Sequence, residues 1–157
     1  MTVTLDRPVT RTDALTLLNP DLAERLVRRV AADHPEVTES LARRIVGQAT
    51  AFIAASGRQP GRDLAPSKLV DSGWHAFILH TVDYAEFCQR VAGRFVHHVP
   101  TDEADETPGQ AHRTRNRTLA AIAAAGYTVD EELWPDVADC SQCHAGCSDS
   151  PNSGKKK

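Results

Sequence analysis

The feature that most constrains the fold is a helical repeat of apolar residues through the middle of the chain. The first such stretch follows Asn19, which can cap a helix, and Pro20, which suits the first helical position. Leu22, Leu26 and Val30 then recur every four residues. No run of alternating residues is long enough to build a sheet. We therefore expect an all-α fold, a compact bundle of about five helices with a Cys-rich irregular C-terminal segment.

Capping residues, prolines and glycines predict where the helices begin and end. The expected helices cover residues 19–34, 38–57, 67–80, 81–93 and 110–126, with Thr38, Ser67 and Thr81 as caps and Gly93 as a stop. Residues 94–100 are too few for a helix before Pro100 and are expected to form an extended turn. The predicted organisation is a helical domain over 13–138, a Cys-rich knuckle over 139–148 and a disordered tail over 149–157.

Charge and hydropathy exclude several classes of partner. A formal charge of −3 and a pI near 6.1 provide no concentrated positive field for nucleic acid or an anionic membrane. No apolar run approaches the roughly 20 residues that cross a bilayer, and the N-terminus lacks the blocks of a signal peptide. We expect a cytoplasmic protein with reduced thiols and a protein partner, and the sequence leaves the oligomeric state open.

Histidines cluster in the predicted third helix and in the turn that follows the fourth. Asp71 and His75 are four residues apart, so they share one face of a helix. His80 lies about 140° round the helix from His75 and is a weaker candidate. His97 and His98 occupy a turn that short helices can fold back toward His75. Because imidazole is the commonest ligand of zinc, copper, iron and nickel, these residues are candidate metal ligands.

Ordinary structural roles compete with this interpretation. A histidine beside a tryptophan is often a core residue that hydrogen-bonds to a carboxylate or a carbonyl. The adjacent side chains of His97 and His98 cannot both point at one centre from an extended backbone. Cys88 lies on an apolar helical stripe, which is typical of a core thiol, although it remains a candidate ligand.

The segment 64–100 resembles the glycine-rich domain-containing protein-like family. The residues that carry the resemblance form a pattern close to V-D-x-x-W-H-x-x-I-L-x-T-x-x-Y-x-x-F-C followed by G-x-F-x-H-H: Val70, Asp71, Trp74, His75, Ile78, Leu79, Thr81, Tyr84, Phe87, Cys88, Gly93, Phe95, His97 and His98. The resemblance implies a helical fold and marks Asp71, His75, Cys88 and the His97/His98 pair as signature residues. It implies no reaction. Many relatives have a second histidine where this chain has Phe77.

A second candidate metal site lies near the C-terminus. Cys140, Cys143 and Cys147 have the spacing C-x2-C-x3-C, and His144 follows the second cysteine. Two thiolates separated by two residues can hold one tetrahedral ion, which favours zinc ahead of an Fe–S cluster or Cu(I). A c-type haem site would need export from the cytosol. A redox dithiol would need a thioredoxin-like sheet, and a tail without a defined role is the remaining alternative.

Together these features predict a small zinc-binding accessory or regulatory protein. The first alternative is an enzyme that uses Asp71, His75 and one histidine of the pair for acid–base or metal-assisted chemistry. No nucleophile motif or phosphate-binding loop supports it, so the sequence leans against an enzyme. The second alternative is a protein-interaction module, in which the acidic loop at 101–109 and the arginines of the following helix contact a partner.

Overall fold

The long helices begin at side-chain caps. The computed structural model describes residues 10–100 and 106–136, and within them Asn19, Thr38 and Ser67 each accept a hydrogen bond from a backbone N–H of the first helical turn. The helices are α1 (Pro20–Asp33), α2 (Glu39–Arg58), α3 (Lys68–Leu79), α4 (Thr81–Phe87) and α5 (Pro108–Ala124). The prediction of a compact all-helical protein with five helices is therefore confirmed for the described residues.

Short helical turns complete the described structure. Residues Ala14–Leu17 and Glu131–Leu133 form 3-10 turns, and Cys88–Ala92 continue α4 as one turn of π-helix. Gly93 ends that turn with a φ of 81°, which a residue with a Cβ atom rarely adopts. Within the described ranges the pairing of extended backbone is limited to one isolated bridge, between Thr12 and Tyr127. The predicted knuckle and tail lie outside the described residues.

Two helix starts differ from the sequence prediction. Thr81 does not cap α4, because it is the first helical residue and His80 precedes it without a side-chain cap. Helix α5 begins at Pro108, two residues earlier than expected. The reason is a capping box, in which the Gln110 N–H donates to the Thr107 hydroxyl and the Thr107 N–H donates to the Gln110 side chain.

Helix α2 lies at the centre of the molecule. Every residue from 45 to 57 is buried, so only the beginning of α2 is amphipathic, where Arg44 is exposed. Many of the buried residues are alanine, glycine, serine or threonine. These small side chains allow close packing of the surrounding elements, which are α1, α3, α5, the π-turn and the first 3-10 turn. A helix that is buried all round requires neighbours on every side.

The segment after α5 is fastened to α2 by polar contacts. The buried Gln48 accepts hydrogen bonds from the Trp134 indole (2.9 Å) and the Asp130 N–H (3.1 Å), and donates to the Thr128 carbonyl (2.9 Å). Arg44 pairs with Asp130 at 2.7 Å and thereby lowers the pKa of that carboxyl group. Leu133 and Trp134 are buried beneath these contacts.

No helix in the described part of the chain is both long and apolar enough to cross a membrane.

The contact between α2 and α3 predicts the effect of one substitution. A Cβ atom on Gly73 would lie 2.9 Å from the Ile45 side chain and 3.0 Å from that of Ala49. We expect Gly73→Ala to lower the free energy of unfolding by about 1–3 kcal/mol, because the helices must separate. Urea denaturation measures this. Gly109→Ala is the control, because its Cβ atom would contact only the tip of the Arg113 side chain, at 3.4 Å. An equal decrease in the free energy of unfolding in both variants would contradict the account.

Candidate metal site

Two of the candidate ligands lie on one face of α3. The cap at Ser67 sets where this helix begins, and Asp71 and His75 then follow in its first and second turns. The spacing of four residues puts the Asp71 Oδ2 atom 3.3 Å from the His75 Nε2 atom. Asp71 is partly buried, whereas 59 % of the His75 side chain is exposed. One side of this pair therefore faces solvent.

The third residue of the site comes from the extended segment 94–100. Gly93 turns the chain after the π-turn, and the Arg94 guanidinium then donates to the Ser56 carbonyl (3.0 Å) and the Gly57 carbonyl (3.2 Å) at the end of α2. The segment returns along α3 and brings His98 to the Asp71–His75 pair. Its ring also packs on Trp74, with the ring centroids 4.5 Å apart.

Two consecutive buried hydrogen bonds, which we call the relay, fix the position of this segment relative to α3. The Trp74 indole donates to the Tyr84 hydroxyl (3.0 Å), which donates to the Val96 carbonyl (2.5 Å). Burial is the largest cause that raises the pKa of Tyr84, so its hydroxyl keeps its proton at any ordinary pH. The relay joins α3, α4 and the segment two residues before His98. It therefore determines which histidine of the pair faces Asp71.

Three ligand atoms converge where these elements meet. The His98 Nε2 atom lies 2.8 Å from Asp71 Oδ1 and 2.9 Å from His75 Nε2. All the ligand atoms lie within 4.8 Å of one another. The His98 side chain is 19 % exposed, so the cluster is shielded on that side and open at His75.

The two short contacts of the His98 Nε2 atom cannot both be hydrogen bonds. An imidazole Nε2 atom has one in-plane position, which holds either a hydrogen or a lone pair. His98 Nε2 has two partners at hydrogen-bond distance, so it can satisfy only one of them. If it donates to Asp71, it offers nothing to His75 Nε2. A cation between the three residues would instead accept a lone pair from each of them.

A shallow groove borders the open side of the cluster. It has a volume of about 290 Å³ and is lined by Asp71, His75 and His98 together with Trp74 and the chain around Ser67. Because His75 lies at its edge, a ligand or a water molecule in the groove can reach the cluster.

The other sequence candidates lie elsewhere. His97 is exposed and packs on Phe95, with a centroid separation of 4.8 Å, and its ring is not part of the cluster. Cys88 is completely buried in the apolar core. His80 lies between α3 and α4, away from the described cluster. The cysteines and histidine of the predicted knuckle lie outside the described residues, namely Cys140, Cys143, His144 and Cys147.

Sequence reasoning did not identify the residues that position His98. Helical spacing accounts for Trp74 and Tyr84 as ordinary core side chains, and both are buried. Their polar atoms supply the relay, however. A buried indole N–H or phenol requires a hydrogen-bond partner, and this requirement was the available signal.

The fold and the site define a small helical protein with a histidine–carboxylate cluster. The chain belongs to the UCP032817-like family, whose model matches residues 12–126. The description of that family names no activity. No curated protein and no solved structure matches the chain significantly.

The resemblance to the glycine-rich domain-containing protein-like family is wrong, because the family model that matches is a different one and covers most of the helical domain. The resemblance depended on segment 64–100 alone. Many of its residues, such as Val70, Tyr84 and Phe87, are buried core positions that helix packing alone requires.

The relay generates a prediction about Tyr84. Tyr84→Phe leaves the Trp74 N–H and the Val96 carbonyl buried without their partner, so we expect a loss of about 1–3 kcal/mol in the free energy of unfolding. The ring signals of His98 in NMR spectra should also shift, because its segment is released. Tyr127→Phe is the matched control, since the Tyr127 hydroxyl bonds to no described residue. Unchanged His98 signals would contradict the positioning role.

Proposed function

We propose that this protein binds one divalent metal ion, zinc in the first instance, through Asp71, His75 and His98. The observation that carries the proposal is the convergence of two imidazole nitrogens and a carboxylate within 4.8 Å of one another. Both imidazoles and the carboxylate are ordinary zinc ligands. Two of them come from one helix and the third from a segment fixed by a buried relay, which is the rigid support that a metal site needs.

The spacing of the ligand atoms suits an ion of this size. In a tetrahedral zinc site with bonds of about 2.0–2.1 Å, neighbouring ligand atoms lie about 3.3–3.4 Å apart. The corresponding separations here are 2.8, 2.9 and 3.3 Å. A small outward rotation of the rings therefore admits the ion, and no movement of the helices is needed.

The number of ligands suggests a site with an open position. Structural zinc sites have four protein ligands, whereas three ligands leave room for water or a substrate. Two histidines and one carboxylate also suit iron(II), so iron is the principal competitor of zinc. The open position borders the groove beside His75, and this supports metal-assisted catalysis as the second candidate function. Metal binding is common to both candidates.

Substitution of the two adjacent histidines tests the proposal. We expect His98→Ala to weaken zinc binding by at least about a hundredfold, measured by competition with a chromophoric chelator, because it removes a ligand. His97→Ala is the matched control: its ring is exposed and outside the cluster, so zinc affinity should remain unchanged. Equal effects of the two substitutions would contradict the proposed ligand set.

The cysteines are tested separately in the full-length chain. A variant with Cys140→Ser, Cys143→Ser and Cys147→Ser should keep one zinc ion per chain whose binding depends on His98. Elemental analysis of protein purified without a His tag measures the content. If the triple variant holds no zinc while His98→Ala keeps it, the knuckle is the metal site and the proposal fails. If zinc binding in the triple variant depends on His98, the Cys-rich knuckle remains a predicted site for a second ion.

A further inference from the structure

A second, larger hollow adjoins the groove at the metal site. Its volume is about 690 Å³, within the range of pockets that bind small molecules. The two hollows share a wall formed by Ala65, Val99, Pro100 and Glu106. A molecule that contacts both an ion between His75 and His98 and the larger hollow would lie along these four shared residues.

One polar face of α5 lines the larger hollow. Gln110, Arg113, Thr114 and Arg117 follow at the spacing i, i+3, i+4 and i+7, which is one side of a helix. Arg113 is exposed there, and no described residue forms an ion pair with it. Arg117 donates to the Asp63 carbonyl, a neutral acceptor, so its charge also lacks a described counter-ion.

Arg115 provides a contrast on the same helix. It lies off the polar face and donates to the Trp134 carbonyl (2.6 Å) and the Asn116 side chain (3.0 Å). This arginine therefore holds the C-terminal segment in place, whereas Arg113 makes no comparable contact in the described structure. This contrast favours Arg113 as a ligand-binding residue and Arg115 as a residue that stabilises the fold.

A bound metal ion would change the net charge of the groove and the larger hollow taken together, which we call the combined groove. Its described ionisable residues other than the histidines are three cationic and three anionic ones: Lys68, Arg113, Arg117, Asp63, Asp71 and Glu106. These charges balance while the histidines are neutral. Among these described residues, a divalent ion on the cluster would leave an excess of two positive charges, which favours a ligand with two negative charges.

We propose that the metal-loaded groove binds a phosphate monoester. One phosphate oxygen occupies the open position on the ion, and the Arg113 guanidinium binds the remaining oxygens, for which its planar fork is suited. The organic group lies against the apolar side chains of Leu64, Val99 and Pro100. A phosphate monoester is close to a dianion at pH 7, which matches the excess charge. This inference depends on the proposed metal site.

The experiment uses the full chain loaded with Co²⁺, which takes the place of zinc and has a visible absorption spectrum. Phenyl phosphate is the probe. We expect phenyl phosphate to change the cobalt spectrum in a saturable manner, and we expect the bound Co²⁺ ion to broaden the ³¹P resonance of the probe. Benzoate, a monoanion, should bind more weakly. Arg113→Gln should weaken phenyl phosphate binding about tenfold or more. Arg28→Gln, at an exposed position on α1 that lines neither hollow, should have no effect.

The outcomes separate this inference from the metal proposal. If Co²⁺ binds in a His98-dependent manner but phenyl phosphate leaves its spectrum and the ³¹P line unchanged, the phosphate site is wrong and the metal site stands. If phenyl phosphate binds equally to wild type and Arg113→Gln, the role of α5 is wrong. If Co²⁺ does not bind at Asp71, His75 and His98, both proposals fail.

Discussion

The structure depends on the burial of α2 on all sides. A helix whose residues 45–57 are all buried must have neighbours around its whole circumference. These neighbours are α1, α3, α5, the π-turn and the first 3-10 turn. The small residues of α2 allow these neighbours to approach closely, most of all where Gly57 faces Ala92 of the π-turn, and Gly73 of α3 allows a close approach to Ile45. Because α3 is fixed in this way, the face that carries Asp71 and His75 has a defined direction.

The site depends on a second constraint, the return of segment 94–100 along α3. Arg94 attaches the beginning of the segment to the end of α2, and the hydroxyl of Tyr84 holds Val96. The hydrogen bond from Tyr84 is buried and those from Arg94 are partly buried, so breaking them leaves polar groups of the core without partners. His98 is therefore carried to the cluster by the same interactions that complete the core. In the cluster itself the His98 Nε2 atom lies close to both Asp71 and His75 but can form a hydrogen bond with only one of them at a time.

Local features were predictable from the sequence and long-range ones were not. The caps at Asn19 and Ser67 act within one helical turn, so residue type and position predicted them. The Asp71–His75 pair lies within one helix, so its spacing of four residues predicted it. The choice between His97 and His98 depends on contacts of the preceding segment with Tyr84 and with α2. The burial of α2 on every side from residue 45 to residue 57 does not follow from the sequence, because its alanines fit an exposed face as well as a buried one. The phosphate-binding chemistry proposed for α5 likewise depends on which elements meet around it.

The central claim is that Asp71, His75 and His98 form one metal site, and anomalous diffraction from crystals of the zinc-loaded protein tests it most directly. The account predicts a peak at the zinc absorption edge about 2.0–2.2 Å from both histidine Nε2 atoms and an Asp71 carboxylate oxygen. Its occupancy should be full when zinc is equimolar with protein. A peak only at the C-terminal cysteines, or a hydrogen-bonded cluster without a peak in crystals that hold zinc elsewhere, would contradict it.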